Sequence, residues 1–467
     1  MMTVLLFSLG ILFMVIGVAA SIALHEIGHL VPAKLFKVRV TKYMIGFGPT
    51  LWSRKRGETE YGVKALPMGG YVSMIGMYPP NKKDGSLRPS STGMFQNLAE
   101  NSKESRAAHR ASTRGPGRFE RLATEARNVA HEEVGPEDGN RVFYKLPVWK
   151  KIIIMLGGPA MNIVIGIVLL GVVLVGFGAP QASTTLSVVN ACQVPYGQSA
   201  QEDPANCTPT PAAAAGLQPG DTITSFNGQE VTSWDQLSGW IRESAGSNVP
   251  LTVERSGQSL ELNITPVLTA IPVLNELGRP EIDSSGATVT REAGFAGISP
   301  TMPVVSQPVT EVLPAAGQQM SVMAGVILNL PQRMVAVAQA AFSDSPRDPN
   351  GPISVVGVGR VAGEVTAMEQ APWQARLATL ISLLAGLNFA LAVFNLVPLL
   401  PLDGGHVAGA LYEGARRRLA KLFKRPDPGP FDIAKLLPVT YVVAGLLLVM
   451  GALLIYADIV KPVNLFG

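Results

Sequence analysis

Charge is what this 467-residue chain has least of. Asp, Glu, Lys and Arg make up 15% of it, against 47% hydrophobic residues. That balance excludes an ordinary soluble protein, and the length leaves room for several units. No Lys or Arg precedes the first apolar run; Lys34, Lys37, Arg39 and Lys42 follow it. A secretory signal peptide has its basic residues in front, so this run is expected to stay in the chain. Lysine is absent between residues 181 and 351. Histidine is scarce, and two of the five sit in one stretch, LHEIGH, at residues 24–29. The net charge of +4 is small, and no nucleic-acid partner is expected.

What the chain does have is apolar length. A bilayer takes about 20 residues to cross as a helix. Four runs are long enough, near 3–24, 152–178, 377–400 and 437–460. Basic residues crowd 34–151 and the loop ARRRLAKLFKR at 415–425, which puts both on the cytoplasmic side. The lysine-free middle and both termini then lie outside. Cys192 and Cys207 fall in that outside segment, where a disulfide is allowed. Closing so short a loop contributes roughly 3 kcal/mol.

These signals divide the chain into a first span carrying HExxH (1–33), a membrane-associated β-hairpin loop (34–77), a loosely ordered cytoplasmic insertion (78–145) and a second span (146–179). An extracytoplasmic α/β unit (180–270), an extracytoplasmic segment with interfacial helices (271–373), a third span (374–412), a basic cytoplasmic loop (413–436) and a fourth span with its tail (437–467) complete it. The class is a polytopic α-helical membrane protein. Residues 38–77 are rich in Gly and strand formers and read as short hairpin strands. In the outside unit, GLQPGDTITSFNGQEV (216–231) predicts strand, Asn-Gly turn, strand. SWDQLSGWIRES (233–244) predicts a helix with a Ser or Asp start signal, and a hairpin is expected around Ser256-Gly257. This unit resembles a PDZ domain, a fold that takes up extended peptides at a sheet edge. The apolar stretch 315–342, interrupted by Pro331, reads as an interfacial or packed helix.

LHEIGH carries the chemistry. Residues four apart share one helix face, so His25 and His29 can ligate one metal ion. Glu26, offset by one position, stays close to the metal and available as a base. Ionisable groups at membrane depth are costly and mark function. Catalytic zinc takes three protein ligands and keeps one position open. Asp403, in NLVPLLPLDGGH (395–406), is an aspartate in an apolar setting that needs a partner. The Gly404-Gly405 pair after it is read as permitting a sharp backbone turn. Under the topology above, spans one and three both run inward, so Asp403 and the histidine pair meet on the cytoplasmic half of the membrane. His406 lies past the turn and is set aside as a ligand.

With those residues in view the chain resembles the site-2 protease family of intramembrane zinc proteases. The likeness covers most of the chain: HEIGH, GFGP (46–49), LPMGGYVSM (66–74), GGPAMN (157–162), GPISVVG (351–357) and NLVPLLPLDGGH. The resemblance implies one Zn2+ per chain held by His25, His29 and Asp403, with Glu26 activating water. It implies substrate contacts from Asn395 and from Gly69, Gly70, Tyr71 and Val72, a β-loop that holds substrate as an added strand. Gly158, Pro159 and Asn162 are expected to shape the site. The family cuts within the span of single-span membrane proteins, in bacteria usually anti-sigma factors, after an upstream site-1-type protease has trimmed their outer part. A bacterial plasma membrane is the expected location. Three other readings use the same residues: an inactive PDZ scaffold, a metal transporter, and a quality-control zinc protease that cuts loops.

Overall fold

The computed structural model describes residues 2–77, 140–193, 207–273, 281, 288–343, 347–348, 351–431 and 436–463. The expected cytoplasmic insertion therefore lies almost wholly outside the described residues. The chain forms two compact units, one of 1–173 with 310–467 and one of Leu174–Val309. Among the described residues four helices are long and apolar enough to cross a membrane.

The larger unit opens with helix α1 (Met2–Leu35). Strands β1 (Val40–Arg56) and β2 (Thr59–Met74) follow, two strands longer than the two or more short ones expected. They pair twice. Tyr43 is opposite both Tyr61 and Val72, while Arg54 is also opposite Tyr61. The segments therefore lie in the order 50–56, 59–66, 40–45, 70–74. The strands bend where glycines take positive φ, at Gly46, Gly48 and Gly69. The sheet is pinned to α1 by the Tyr43 hydroxyl, which donates to the Ala23 carbonyl (2.8 Å). Val40, Tyr43, Val72 and Met74 pack with Leu30, Ala33, Ile154 and Met155 in one buried cluster. Helix α2 (Val148–Gly171) supplies the last two and continues as a π-turn to Phe177.

The second unit runs from Leu174 to Val309. After β3 (Ala179–Pro180), β4 (Leu186–Val189) and the short helix α3 (Pro211–Ala214), it builds an antiparallel sheet in the order β6-β5-β7-β8. These strands are β5 (Thr222–Phe226), β6 (Gln229–Glu230), β7 (Val249–Arg255) and β8 (Gln258–Ile264). Asn227-Gly228 and Ser256-Gly257 turn their hairpins with positive φ at both positions, as such two-residue turns require. Helix α4 (Trp234–Glu243) starts at Ser233, whose hydroxyl accepts from Gln236 N. Leu237 and Ile241 pack with Phe226, Leu251 and Val253 in the core. Asp221 closes the loop before β5. Its buried carboxylate accepts from Gln218 N (2.8 Å) and from Nε and Nη2 of Arg255 (2.7 and 2.8 Å). The Arg255 guanidinium holds this carboxyl below the usual carboxylate range. Cys192 and Cys207 are joined in a disulfide, with Cα atoms 5.5 Å apart.

The unit continues past residue 270 in strands. β9 (Val267–Pro272) pairs with β10 (Thr290–Phe295), β11 (Ile298–Pro300) with β4, and β12 (Val304–Val305) with β3. The end of the segment thus pairs back onto its beginning, which makes 271–309 part of this unit.

The chain returns to the larger unit through α5 (Val312–Leu328) and α6 (Leu330–Phe342), bent by 68°. Where one interfacial or packed helix was expected, the pair forms a broken span or re-entrant loop by length and composition. Pro331 lacks the N–H a continuous helix would need there. Helices α7 (Val355–Ala367), α8 (Trp373–Asn395), α9 (Asp403–Leu422) and α10 (Leu437–Val460) follow. The GPISVVG stretch lies at the start of α7. Ser354 caps that helix, and its backbone N–H donates to Asp458 of α10 (2.6 Å), which also pairs with Arg347. Two charges buried at the end of an apolar helix are thereby matched.

A second buried ion pair fastens α9 to α2. Lys151 Nζ lies 3.0 and 2.9 Å from the carboxylate oxygens of Glu413, and both side chains are buried. Glu413 also accepts from Phe431 N (3.0 Å). Lys151→Met leaves that carboxylate buried without its main counter-charge. The expected cost is about 3–5 kcal/mol, read as a lower unfolding midpoint in detergent. The double variant Lys151→Met with Glu413→Leu is expected to recover most of it.

Candidate active site

His25 and His29 lie one turn apart on α1, and the turn that follows α8 delivers Asp403 to them. Their ligand atoms converge. Nε2 of His25 and of His29 are 3.3 Å apart, and Asp403 Oδ2 stands 3.5 and 3.4 Å from them. Donors about 2.0–2.2 Å from a zinc ion at tetrahedral angles stand about 3.3–3.6 Å from one another. The three atoms therefore fit three corners of a tetrahedron, leaving a fourth for water or substrate. Among the described residues no other cluster of this kind occurs. The tautomer of His29 fits as well. Its Nδ1 lies 2.7 Å from the Ile154 carbonyl, an acceptor, so Nδ1 carries the proton and Nε2 keeps its lone pair for the metal.

Helix α2 is shaped to this cluster. A β-carbon on Gly158 would sit in contact with His29 Nε2 and 2.7 Å from His25 Nε2. Only glycine leaves room for an ion there. One residue earlier, a β-carbon on Gly157 would strike the Gly28 carbonyl, and one on Gly28 the Gly157 carbonyl. The two helices therefore meet backbone to backbone. Pro32, four residues on from Gly28, cannot donate to its carbonyl, which leaves that oxygen facing α2. Pro159 lies inside α2 and is buried. Asn162, one turn beyond Gly158, is buried with its Oδ1 unpartnered among the described residues.

Asp403, expected within a third span over 374–412, is the first residue of α9, which begins eight residues after α8 ends at Asn395. The helical amides of that first turn suit a carboxylate. Gly404 and Gly405 also differ from expectation. Both are helical and neither has positive φ. A β-carbon on Gly405 would lie 2.6 Å from Leu400 N, and one on Gly404 against the Leu396 and Val397 carbonyls. Their function is to let α9 pack on the turn behind it. Asn395 ends α8 and is partly buried. His406 is buried but lies outside the three-ligand group.

Glu26 is 5% exposed and faces the sheet. A β-carbon on Gly70 would fall 2.8 Å from Glu26 Cγ and 3.1 Å from the Met44 carbonyl. The strand segment carrying Gly70 thus passes directly beside the carboxylate. Gly69 needs positive φ (113°) and packs on the Phe47 ring. Lys151, Glu413 and the Ile154 carbonyl were not singled out from the sequence. The lysine pair Lys150-Lys151 at the head of the apolar run IIIMLGG was the available signal for the first.

The model of peptidase family M50 matches residues 13–425. The zinc metalloprotease Rip1 of Mycobacterium tuberculosis is 32% identical to this chain, covering 99% of it and 100% of the relative. Metalloprotease MmpA of Caulobacter vibrioides is 28% identical over 96% and 95% of the two chains. The regulator of sigma-W protease RasP of Bacillus subtilis is 25% identical over 84% and 87%. A family match over most of the length, together with two histidines of α1 and an aspartate of α9 that converge inside an apolar bundle, settles the class. The chain belongs to peptidase family M50, the site-2 proteases, and is a zinc metalloendopeptidase.

Proposed function

We propose that this protein cuts peptide bonds within the transmembrane segments of single-span membrane proteins that another protease has already trimmed. The observation that carries this reading is the meeting of the His25–His29–Asp403 cluster, Glu26 and the Gly70 strand between apolar helices. A substrate helix keeps its carbonyls hydrogen-bonded, and the segment to be cut must first unwind. Residues 69–72 hold the unwound segment as an added strand, with Gly70 bringing the backbone of both chains close to Glu26. Asn395 donates a hydrogen bond to the substrate backbone. Gly158, Pro159 and Asn162 shape the floor of the site.

His25, His29 and Asp403 would hold one zinc ion per chain, which would supply Lewis acidity to a water placed beside Glu26. Glu26 takes the proton from that water and returns it to the leaving nitrogen. The active site lies on the cytoplasmic half of a bacterial plasma membrane. The unit at 174–309 lies outside and acts as a PDZ-like domain that admits only trimmed substrates. Anti-sigma factors are the proposed substrate class, in keeping with the sigma-W relative, and cleavage then releases a transcription regulator into the cytoplasm.

The test is cleavage of a tagged single-span substrate in proteoliposomes, trimmed or untrimmed on its outer side, with the cut mapped by mass spectrometry. The expected result is a cut inside the span, in the trimmed form only. Cuts confined to loops favour the quality-control protease instead.

A further inference from the structure

The tip of the β1–β2 hairpin carries three consecutive exposed basic residues that the catalytic mechanism does not use. Arg54, Lys55 and Arg56 are all exposed. They follow Leu51 and Trp52, which are 70% and 58% exposed. Lys34, at the end of α1, reaches the tip: its Nζ donates to the Tyr61 hydroxyl (2.6 Å) and lies 5.2 Å from that ring's centre. A cleft of about 440 Å³ opens between Lys34, Arg56 and Tyr61. A second, of about 340 Å³, adjoins it between Trp52, Arg54, Lys55, Arg56 and Tyr61.

The nearby carboxylates match only part of this charge. Glu58 is bound through both oxygens by Arg141 (2.8 and 2.6 Å). Glu60 stands opposite Lys55 and Lys42 across the strands. Among the described residues no carboxylate lies within ion-pair distance of Lys34, Arg54 or Arg56. Depth decides what can fill the clefts. Lys34 is the last residue but one of a helix long and apolar enough to span, so it marks the bilayer surface. Its contact with Tyr61 puts the cleft at the same level. An exposed Trp and a partly buried Tyr beside Lys and Arg are the composition of a headgroup contact.

We propose that these clefts bind the phosphate of an anionic phospholipid headgroup between Lys34, Arg56 and Tyr61, with Trp52 seated among the acyl-chain ends. The site fastens the sheet that carries Gly70 to the membrane surface. The inference rests on α1 as a membrane span and is independent of the protease's substrate.

The experiment is native mass spectrometry of the full chain, released from detergent after incubation with equal amounts of phosphatidylglycerol and phosphatidylcholine. The wild type is expected to retain phosphatidylglycerol about tenfold over phosphatidylcholine. A tenfold preference corresponds to about 1.4 kcal/mol, the contribution of roughly one to two basic side chains at the membrane surface. The triple variant R54Q/K55Q/R56Q is expected to lose it while keeping its zinc. The charge-preserving R54K/R56K keeps it. Equal retention of both lipids by the wild type, or an unchanged preference in the zinc-loaded triple variant, overturns the proposal. Release of the bound lipid by an equal concentration of inorganic phosphate also overturns it, and assigns the cleft to a soluble anion.

Discussion

Glu26→Gln is expected to keep the fold and the metal and to lose cleavage by on the order of 10²–10⁴-fold. Gln has the shape of Glu and still fits beside Gly70, where Glu26 Cγ leaves no space for a β-carbon. It cannot accept a proton near neutral pH. Glu26 is also outside the group of three converging donors, so zinc per chain is expected to match the wild type. The paired measurement is zinc content and cutting of a trimmed single-span substrate on the same preparation. Cutting equal to the wild type would falsify the assignment of Glu26 as the base. Loss of zinc together with cutting would instead make Glu26 part of the metal's support.

Gly158→Ala is expected to have the other large effect, and through a residue with no chemistry of its own. The added methyl would lie 2.7 Å from His25 Nε2 and in contact with His29 Nε2, on the side where their lone pairs converge. Retreat of the helix would undo the backbone-to-backbone contact of Gly157 with Gly28. Either the imidazoles turn away or α1 and α2 separate, and both spoil the tetrahedral spacing. Zinc affinity is expected to fall by at least about 10–100-fold, the scale seen when the support of a metal ligand is disturbed. Cleavage falls with it. Gly386→Ala on α8 is the control: nothing lies within 4 Å of its added methyl, so zinc and cleavage are unchanged. A Gly158→Ala protein that binds zinc with wild-type affinity refutes the geometry described for the site.

The reading of Gly158 also marks where sequence reasoning stops. The motif GGPAMN points to this stretch, but a glycine's purpose depends on what faces it. The same holds for Gly404 and Gly405. A turn is the local explanation for a glycine pair; close packing on residues 396–400 is what the fold requires. The single helix expected over 315–342 breaks at 329, because composition reports apolarity while Pro331 and its surroundings set direction. In the hairpin, strand formers were visible but not their order. That Tyr43 stands between Tyr61 and Val72 follows from long strands bending at glycines, which alternation alone does not predict.

By itself the sequence determined the features that are local in the chain: four apolar lengths that match a bilayer, two histidines one helical turn apart, a carboxylate beside them, and turns set by Asn-Gly and Ser-Gly pairs. Apolar length and helical periodicity need no knowledge of the rest of the molecule. The tertiary structure alone decided which distant groups serve that helix. The Ile154 carbonyl that orients His29 is 125 residues away from it, and the Glu413 that matches Lys151 is 262 residues away. Contacts at such separations depend on how helices cross, and here the crossing is set by glycines with no side chain to announce it.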